Sequence, residues 1–210
     1  KIQSALLINA FISPKNPIFR LIAKTMFKLA TRRSPISINS NDPDSLKVIS
    51  VGNSHLDSAW KWRKQDTRRK KVQHTFGHNV YYLASQKFPK YFFTANAVIH
   101  YHWIKKDNPK MFNRIRKLVH QGKWEIVGGD WVEMDANLPN GESLIRQRLI
   151  GQRFYLREFG KTARIAWMDD VFGFPNTLPQ ILAKSGCDKM FTNKFSYSDY
   201  SHRFKPSSPD

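Results

Sequence analysis

Cysteine, acidic side chains and long apolar runs are all scarce in this sequence. Its 210 residues include one cysteine, Cys187, so no disulfide can form within the chain, which fits a reducing compartment. The apolar runs are far shorter than the ~20 residues of a membrane span. A signal-peptide core with a small-residue cleavage site is also absent. We therefore expect no membrane span, and because the chain begins at Lys1 its N-terminus does not indicate a location.

The shortage of acidic residues gives the chain a strong positive charge. There are 35 lysines and arginines against 16 aspartates and glutamates, a formal net charge of +19. Such a charge affects solubility and association with anions, and it carries no information on the fold. Seven of the basic side chains lie in residues 61–71, and they predict the solvated face of a helix. We expect no nucleic-acid partner, because aromatic residues are sparse there and no nucleic-acid motif is present.

The basic N-terminal part is expected to lie outside the main domain. Residues 17–33 have apolar side chains at helical spacing and predict a basic amphipathic surface helix, with a targeting or membrane-surface role as the alternative. Residues 34–45 have the composition of a linker. We predict a helical segment and linker over 1–45, one domain over 46–195, and an irregular tail or truncation point over 196–210.

Strand and helix patterns alternate along the main domain. Apolar runs predict strands over 46–51, 91–95, 124–127, 164–167 and 189–192. Helical spacing predicts helices over 67–87, 97–106, 109–121, 141–159 and 177–184. This alternation predicts the α/β fold class, with parallel strands that alternate with helices.

Two motifs place ionisable side chains where predicted strands end. His55 and Asp57 follow the strand over 46–51, and residues two apart point to the same side of a strand. Asp170 follows the strand over 164–167, with Asp169 as a second candidate, although only one of two adjacent residues can face a given spot. Active sites form at the carboxyl ends of the strands in parallel sheets. An imidazole and carboxylates at these strand ends suit a divalent metal such as zinc. The alternatives are a hydrogen-bonded structural histidine and a helix-capping aspartate.

A third loop, over residues 128–135, follows the strand at 124–127. Its Trp131, Glu133 and Asp135 predict a sugar-binding wall, since aromatic rings stack on sugars and carboxylates accept hydroxyl protons. The alternative is that the acids cap the helix at 141 or pair with arginines. Of the six tryptophans, we expect a core role for two and a loop position for three: Trp103 and Trp124, then Trp60, Trp62 and Trp131.

Three long segments carry a resemblance to a known family. Residues 52–62 read GNSHLDSAWKW, residues 128–143 read GGDWVEMDANLPNGES, and residues 167–180 read WMDDVFGFPNTLPQ. In this order they resemble the glycoside hydrolase family 38 α-mannosidases, and the cytosolic and vacuolar class above all. The resemblance runs from about Asn9 to about Tyr197. It departs from that class at Asp169, where proline is usual, and at Tyr197-Ser198, where Trp-Asn is usual.

The resemblance implies a fold and a set of roles. Residues 46–195 would be the N-terminal part of a (β/α)7-barrel-like catalytic domain with a retaining, metal-dependent mechanism that uses zinc, or cobalt as the alternative. His55 and Asp57 match metal ligands, Asp170 matches the residue that binds the metal and attacks the anomeric carbon, and Trp60 matches the aromatic that stacks on mannose. Trp131 and Asp135 complete the predicted substrate-binding set.

The resemblance also implies a substrate and a location. It predicts hydrolysis of terminal α-D-mannosyl residues from oligosaccharides, in the cytoplasm or, alternatively, the vacuole, and it is compatible with an oligomer of the full-length protein. The family's last metal-binding histidine and its acid/base carboxylate have no match before Asp210. Two other interpretations stay open: a metal-dependent carbohydrate deacetylase, against which residues 128–133 argue, and an inactive truncated chain that binds glycans or anions.

Overall fold

The computed structural model describes residues 51–85 and 87–194. The predicted segment 1–45 with its helix over 17–33, most of the predicted strand 46–51, and the predicted tail 196–210 lie outside the described residues. Of the described helices, none is long and apolar enough to cross a membrane.

Five short strands and six α-helices alternate along the described residues. The strands are β1 Gly52–Asn53, β2 Phe93–Ala95, β3 Trp124–Ile126, β4 Ile165–Trp167 and β5 Lys189–Phe191. The helices are α1 Lys64–Asp66, α2 Val72–Ala84, α3 Val98–Asp107, α4 Pro109–His120, α5 Gly141–Phe159 and α6 Leu178–Lys184, and the π-helical stretch Thr67–Lys71 joins α1 to α2.

The strands follow one another in chain order. One sheet has the order β1-β2-β3, with β2 parallel to β3, and a second sheet pairs β4 with β5, also in parallel. The Gly128 N–H donates to the Ile165 carbonyl at 2.9 Å and links the end of β3 to β4. The predicted α/β class, with parallel strands that alternate with helices, is confirmed.

The helix ends follow local capping chemistry. In α5, the Asn140 side chain accepts from the Ser143 N–H at 2.9 Å, and Gly160 ends the helix in the left-handed conformation at φ 72°. The helix has the predicted bounds 141–159. The predicted helix 67–87 instead begins at Lys64 and ends at Ala84. The helix ends before residue 87 because the Ser85 hydroxyl donates back to the Tyr82 carbonyl at 2.9 Å and so competes with the helical hydrogen bonds.

Two apolar clusters fill the space between the helices and the strands. The larger one joins α2, α3, α4 and α5 to β2 and β3, and it is rich in edge-to-face aromatic contacts around Trp124 and Tyr101. The smaller one packs α6 and β4 against the loop at Met134 and Ala136. Trp103 and Trp124 are both buried, which confirms their predicted core role. The clusters hold the strand ends, and so the loops that follow them, at fixed positions.

Candidate metal and active site

Side chains from two distant segments of the sequence meet at the strand ends. His55 and Asp57 lie on the loop after β1, and Asp170 lies on the loop after β4. His55 Nε2 is 3.3 Å from Asp57 Oδ1 and 3.7 Å from Asp170 Oδ2. One ligand atom from each residue lies within 4.8 Å of the others. The predicted metal ligands therefore converge at one point.

Asp169 occupies a different position from its neighbour Asp170. Its side chain is buried and accepts a hydrogen bond from Asn53 Nδ2 at 2.6 Å. Burial raises the pKa of Asp169 to about 6, and the nearby Glu133 carboxylate adds to the rise. Asp169 thus links the end of β1 to the end of β4, whereas Asp170 belongs to the cluster with His55 and Asp57.

Glu133 lies behind the cluster. Its Oε2 is 2.7 Å from His55 Nδ1, and its Oε1 accepts from the Asp170 N–H at 2.8 Å. Burial alone would lower the pKa of His55, but the contact with Glu133 and the charges of Asp57 and Asp170 outweigh it and raise that pKa to about 9. The imidazole is therefore held in a strongly negative environment, which favours a cation at this point.

The second oxygen of Asp170 has a separate partner. Lys194 Nζ lies 2.5 Å from Asp170 Oδ1 and 4.4 Å from the centre of the Phe172 ring. Lys194 follows β5, so a third strand-end loop reaches the same carboxylate. The two oxygens of Asp170 are thereby distinguished, with Oδ1 toward the ammonium and Oδ2 toward the histidine.

The residues present fit a divalent metal. Both ring nitrogens of His55 are buried, and neither makes a hydrogen bond of good geometry. The nearest carboxylates lie within ion-pair distance of these nitrogens. A histidine nitrogen and two carboxylate oxygens form a donor set that suits zinc. The carboxylate of Glu133 on the far ring nitrogen is the usual companion of a metal-binding histidine.

Trp60 lies on the same loop as the first two ligand candidates. Its ring is 66% exposed and packs edge-on against Trp62, with a centroid distance of 5.4 Å. Lys61 Nζ lies 4.7 Å from the centre of the Trp60 ring. An exposed indole face three residues after Asp57 is available to a ligand, and its role in sugar stacking stays a prediction.

Trp131 and Asp135 have contacts of another kind. Trp131 is partly buried and packs against His102 and Phe154, with ring centroids 5.3 and 6.2 Å away. Asp135 Oδ1 accepts from the N–H groups of Asn137 and Leu138, both at 2.8 Å, and so closes a turn of the loop. These contacts are structural, and the predicted substrate contacts of both residues stay predictions.

A buried arginine holds the Gly128-Gly129 loop in place. Arg148 of α5 is 1% exposed, and its guanidinium donates to the Gly128 carbonyl at 2.5 Å and to Asp130 Oδ2 at 2.9 Å. It also reaches Ser185 Oγ at 3.0 Å and Cys187 Sγ at 2.6 Å. Burial raises the pKa of Asp130 to about 6, although Arg148 opposes the rise. This arginine joins the loop to the segment that follows α6.

Three of these residues were not singled out for these roles from the sequence. The sequence offers Glu133 for a sugar-binding wall or, alternatively, for capping the helix at 141 or pairing with an arginine, and its pattern indicates no role for Lys194 or Arg148. Lys194 stands three residues after β5, the same strand-end position that pointed to His55 and Asp170. Arg148 lies on the buried face of α5, between Leu144 and Phe154. A charged side chain on a buried face requires a partner, and this is the signal that the sequence offers.

Comparison with known proteins agrees with the geometry. Residues 45–208 match the model of the glycosyl hydrolases family 38 N-terminal domain. The chain therefore belongs to glycosyl hydrolase family 38, and the resemblance inferred from its motifs is confirmed. The match spans both loops that carry His55, Asp57 and Asp170.

Individual relatives show how much of a larger protein this chain represents. It is 39% identical over 153 residues to an α-mannosidase of Saccharomyces cerevisiae and 36% identical over 151 residues to human α-mannosidase 2C1, in each case over 72% of this chain and 14% of the relative. The crystal structure of an α-mannosidase from Enterococcus faecalis V583 superposes with a TM-score of 0.60 at 22% identity, over 68% of this chain and 16% of that one. The chain thus spans about 14% of the length of these curated relatives.

Proposed function

We propose that this chain supplies the metal-binding and nucleophilic half of a retaining α-mannosidase site, which releases terminal α-D-mannosyl residues from oligosaccharides. The convergence of His55, Asp57 and Asp170 at the strand ends carries the proposal. Family membership and the names of the relatives support the substrate class. Zinc is the first choice of metal and cobalt the second, and a cytoplasmic or vacuolar location follows from the resemblance alone.

The exposure and the anchoring of Asp170 support it as the nucleophile. Its side chain is 39% exposed at the mouth of the cluster, while Glu133 holds its main chain from behind. Asp170 attacks the anomeric carbon, so a bond from that carbon to a carboxylate oxygen forms as the glycosidic C–O bond breaks. A second carboxyl group, without a match in these 210 residues, protonates the departing oxygen as the acid and then, as the carboxylate, takes a proton from the water that releases mannose.

His55 and Asp57 serve the same step from the other side of the cluster. They would hold the cation beside Asp170, and the bound cation would orient sugar hydroxyl groups and favour the distorted ring of the oxocarbenium-like transition state. Lys194 keeps Oδ1 of Asp170 in place, which leaves Oδ2 directed toward the cluster. Trp60 offers its exposed ring to the apolar face of the sugar.

Hydrolysis of a nitrophenyl α-D-mannoside by the full-length protein tests the proposal. We expect turnover with retention of the anomeric configuration, its loss after dialysis against a chelator, and its recovery with Zn²⁺ or Co²⁺. The matched α-D-glucoside is the control for sugar specificity. Acetate release from an N-acetylated sugar without mannoside hydrolysis would favour a deacetylase, and binding without turnover would favour an inactive glycan-binding protein.

The role of His55 is tested by its metal content. His55→Ala removes the one nitrogen donor of the cluster, so we expect the purified full-length variant to hold far less zinc than the wild type by elemental analysis. His120→Ala is the matched control, because His120 is exposed at the end of α4. Full metal occupancy in the His55 variant would remove this residue from the ligand set.

A further inference from the structure

We propose that Glu133 is a positioning residue that fixes His55 and Asp170 relative to each other before a metal binds. This inference rests on the proposed function, since it concerns the same site. One carboxylate contacts the His55 ring through Oε2 and the Asp170 main chain through Oε1, at 2.7 and 2.8 Å. It thereby connects the loop after β1 to the loop after β4.

The geometry separates Glu133 from the ligands themselves. It meets His55 at Nδ1, whereas Asp57 and Asp170 lie near Nε2 on the opposite side of the ring. With a cation bound at Nε2, Nδ1 would carry the one remaining ring proton and would face the Glu133 carboxylate. Glu133 would therefore orient the ring from the side opposite the cation.

Both carboxylate oxygens of Glu133 have a partner, so an amide cannot replace the carboxylate without losing one contact. The side chain is 12% exposed, so water has little access to replace either contact. Glutamine has one acceptor oxygen where glutamate has two. In Glu133→Gln, the side chain must therefore give up either the imidazole of His55 or the main-chain N–H of Asp170, although its size is unchanged.

The loop around Glu133 explains why it can act as a support. Met134 and Ala136 are buried in the smaller apolar cluster, and Val132 N–H donates to Gln147 Oε1 at 3.1 Å. Glu133 thus projects from a segment anchored on both sides. A support of this kind reduces the reorganisation that binding requires, and a bound metal gains affinity from it.

The test is the zinc affinity of the full-length protein, measured by competition with a chromogenic chelator. We expect Glu133→Gln to weaken zinc binding about 10- to 100-fold, as loss of a carboxylate behind a metal-binding histidine usually does. Glu142→Gln is the matched control, since Glu142 is 62% exposed and forms its ion pair with Arg146 on the surface of the same helix. The absorption spectrum of the Co²⁺ form is measured as well, because a merely structural role would leave the ligand geometry unchanged.

The outcomes separate this inference from the proposed function. If Glu133→Gln binds zinc as tightly as the wild type and keeps its Co²⁺ spectrum, the positioning role is overturned while the proposed function stands. If the wild type binds zinc without hydrolysing mannosides, the proposed function fails, and the affinity difference still decides the role of Glu133. A wild type that binds no divalent metal overturns both. Thermal unfolding with chelator present shows whether the variant is folded, and Glu133→Asp provides a second carboxylate of shorter reach.

Discussion

Asp170→Asn in the full-length protein is expected to lose mannoside hydrolysis by at least about a thousandfold in kcat, the scale on which removal of a covalent nucleophile acts. Asparagine has nearly the size of aspartate and keeps one oxygen, so the fold and part of the metal affinity should survive. The neutral amide cannot form the bond to the anomeric carbon. Turnover is measured at saturating substrate and saturating Zn²⁺, with metal content determined on the same samples.

Two further measurements sharpen this prediction. Asp188→Asn is the matched control, because Asp188 is exposed and pairs with Arg164 and Lys189 at the start of β5. It should keep wild-type kcat. A fluorinated mannosyl fluoride, whose glycosyl-enzyme forms faster than it breaks down, should label the peptide that contains Asp170. A label on another carboxylate, or unchanged turnover in Asp170→Asn, would remove Asp170 from the nucleophile role.

Arg148→Met is expected to destabilise the domain by about 3–5 kcal/mol, the usual effect of removing one partner of a buried ion pair. Methionine fills much of the same volume but leaves the buried Asp130 carboxylate without its cation. The Gly128 carbonyl loses a donor at the same time. Denaturant and thermal unfolding of the full-length protein measure the change. Arg146→Met, at a position 68% exposed on the same helix, is the control and should stay within about 0.5 kcal/mol of the wild type.

The destabilisation of Arg148→Met should depend on pH in a defined direction. Burial already raises the pKa of Asp130 from 3.8 to about 6, and Arg148 is the group that opposes this rise. Without Arg148 the pKa of Asp130 rises further. Since a carboxyl whose pKa is raised in the folded state favours folding only when protonated, the stability it contributes is lost as the pH increases through that pKa. The difference in the free energy of unfolding between Arg148→Met and the wild type should narrow as the pH is lowered from about 7 to about 5. A gap that does not vary with pH would contradict this account of Asp130.

Local chemistry made several elements predictable from the sequence. The helix Gly141–Phe159 was predicted with its correct ends, because Asn140 and Gly160 are capping residues whose preferences act within a few residues. The strand-end positions of His55, Asp57 and Asp170 were predicted for the same kind of reason, since apolar runs define strands and polar residues follow them. That these side chains meet depended on a further general rule, that parallel strands end at one edge of a sheet.

The direction of loop side chains was not predictable in this way. Trp131 packs against His102 and Phe154, and Asp135 closes a turn. The sequence pattern does not indicate these contacts, while the predicted sugar contacts of both residues stay predictions. A loop has no fixed periodicity, so the face that each side chain takes is set by the packing of the whole segment. The same packing aims Glu133 at His55, a contact that spacing in the sequence does not indicate.

What the sequence determined by itself was the class of fold, the family and the candidate metal-binding residues, because strand and helix periodicity, capping residues and long motifs are properties of neighbouring positions. What only the tertiary structure decided was how those residues are held. The pairing of Asp170 with Lys194, the bridge through Glu133 and the burial of Arg148 beside Asp130 join segments from different strands and helices. Such contacts depend on the distances between packed elements, and these distances are fixed by the core as a whole.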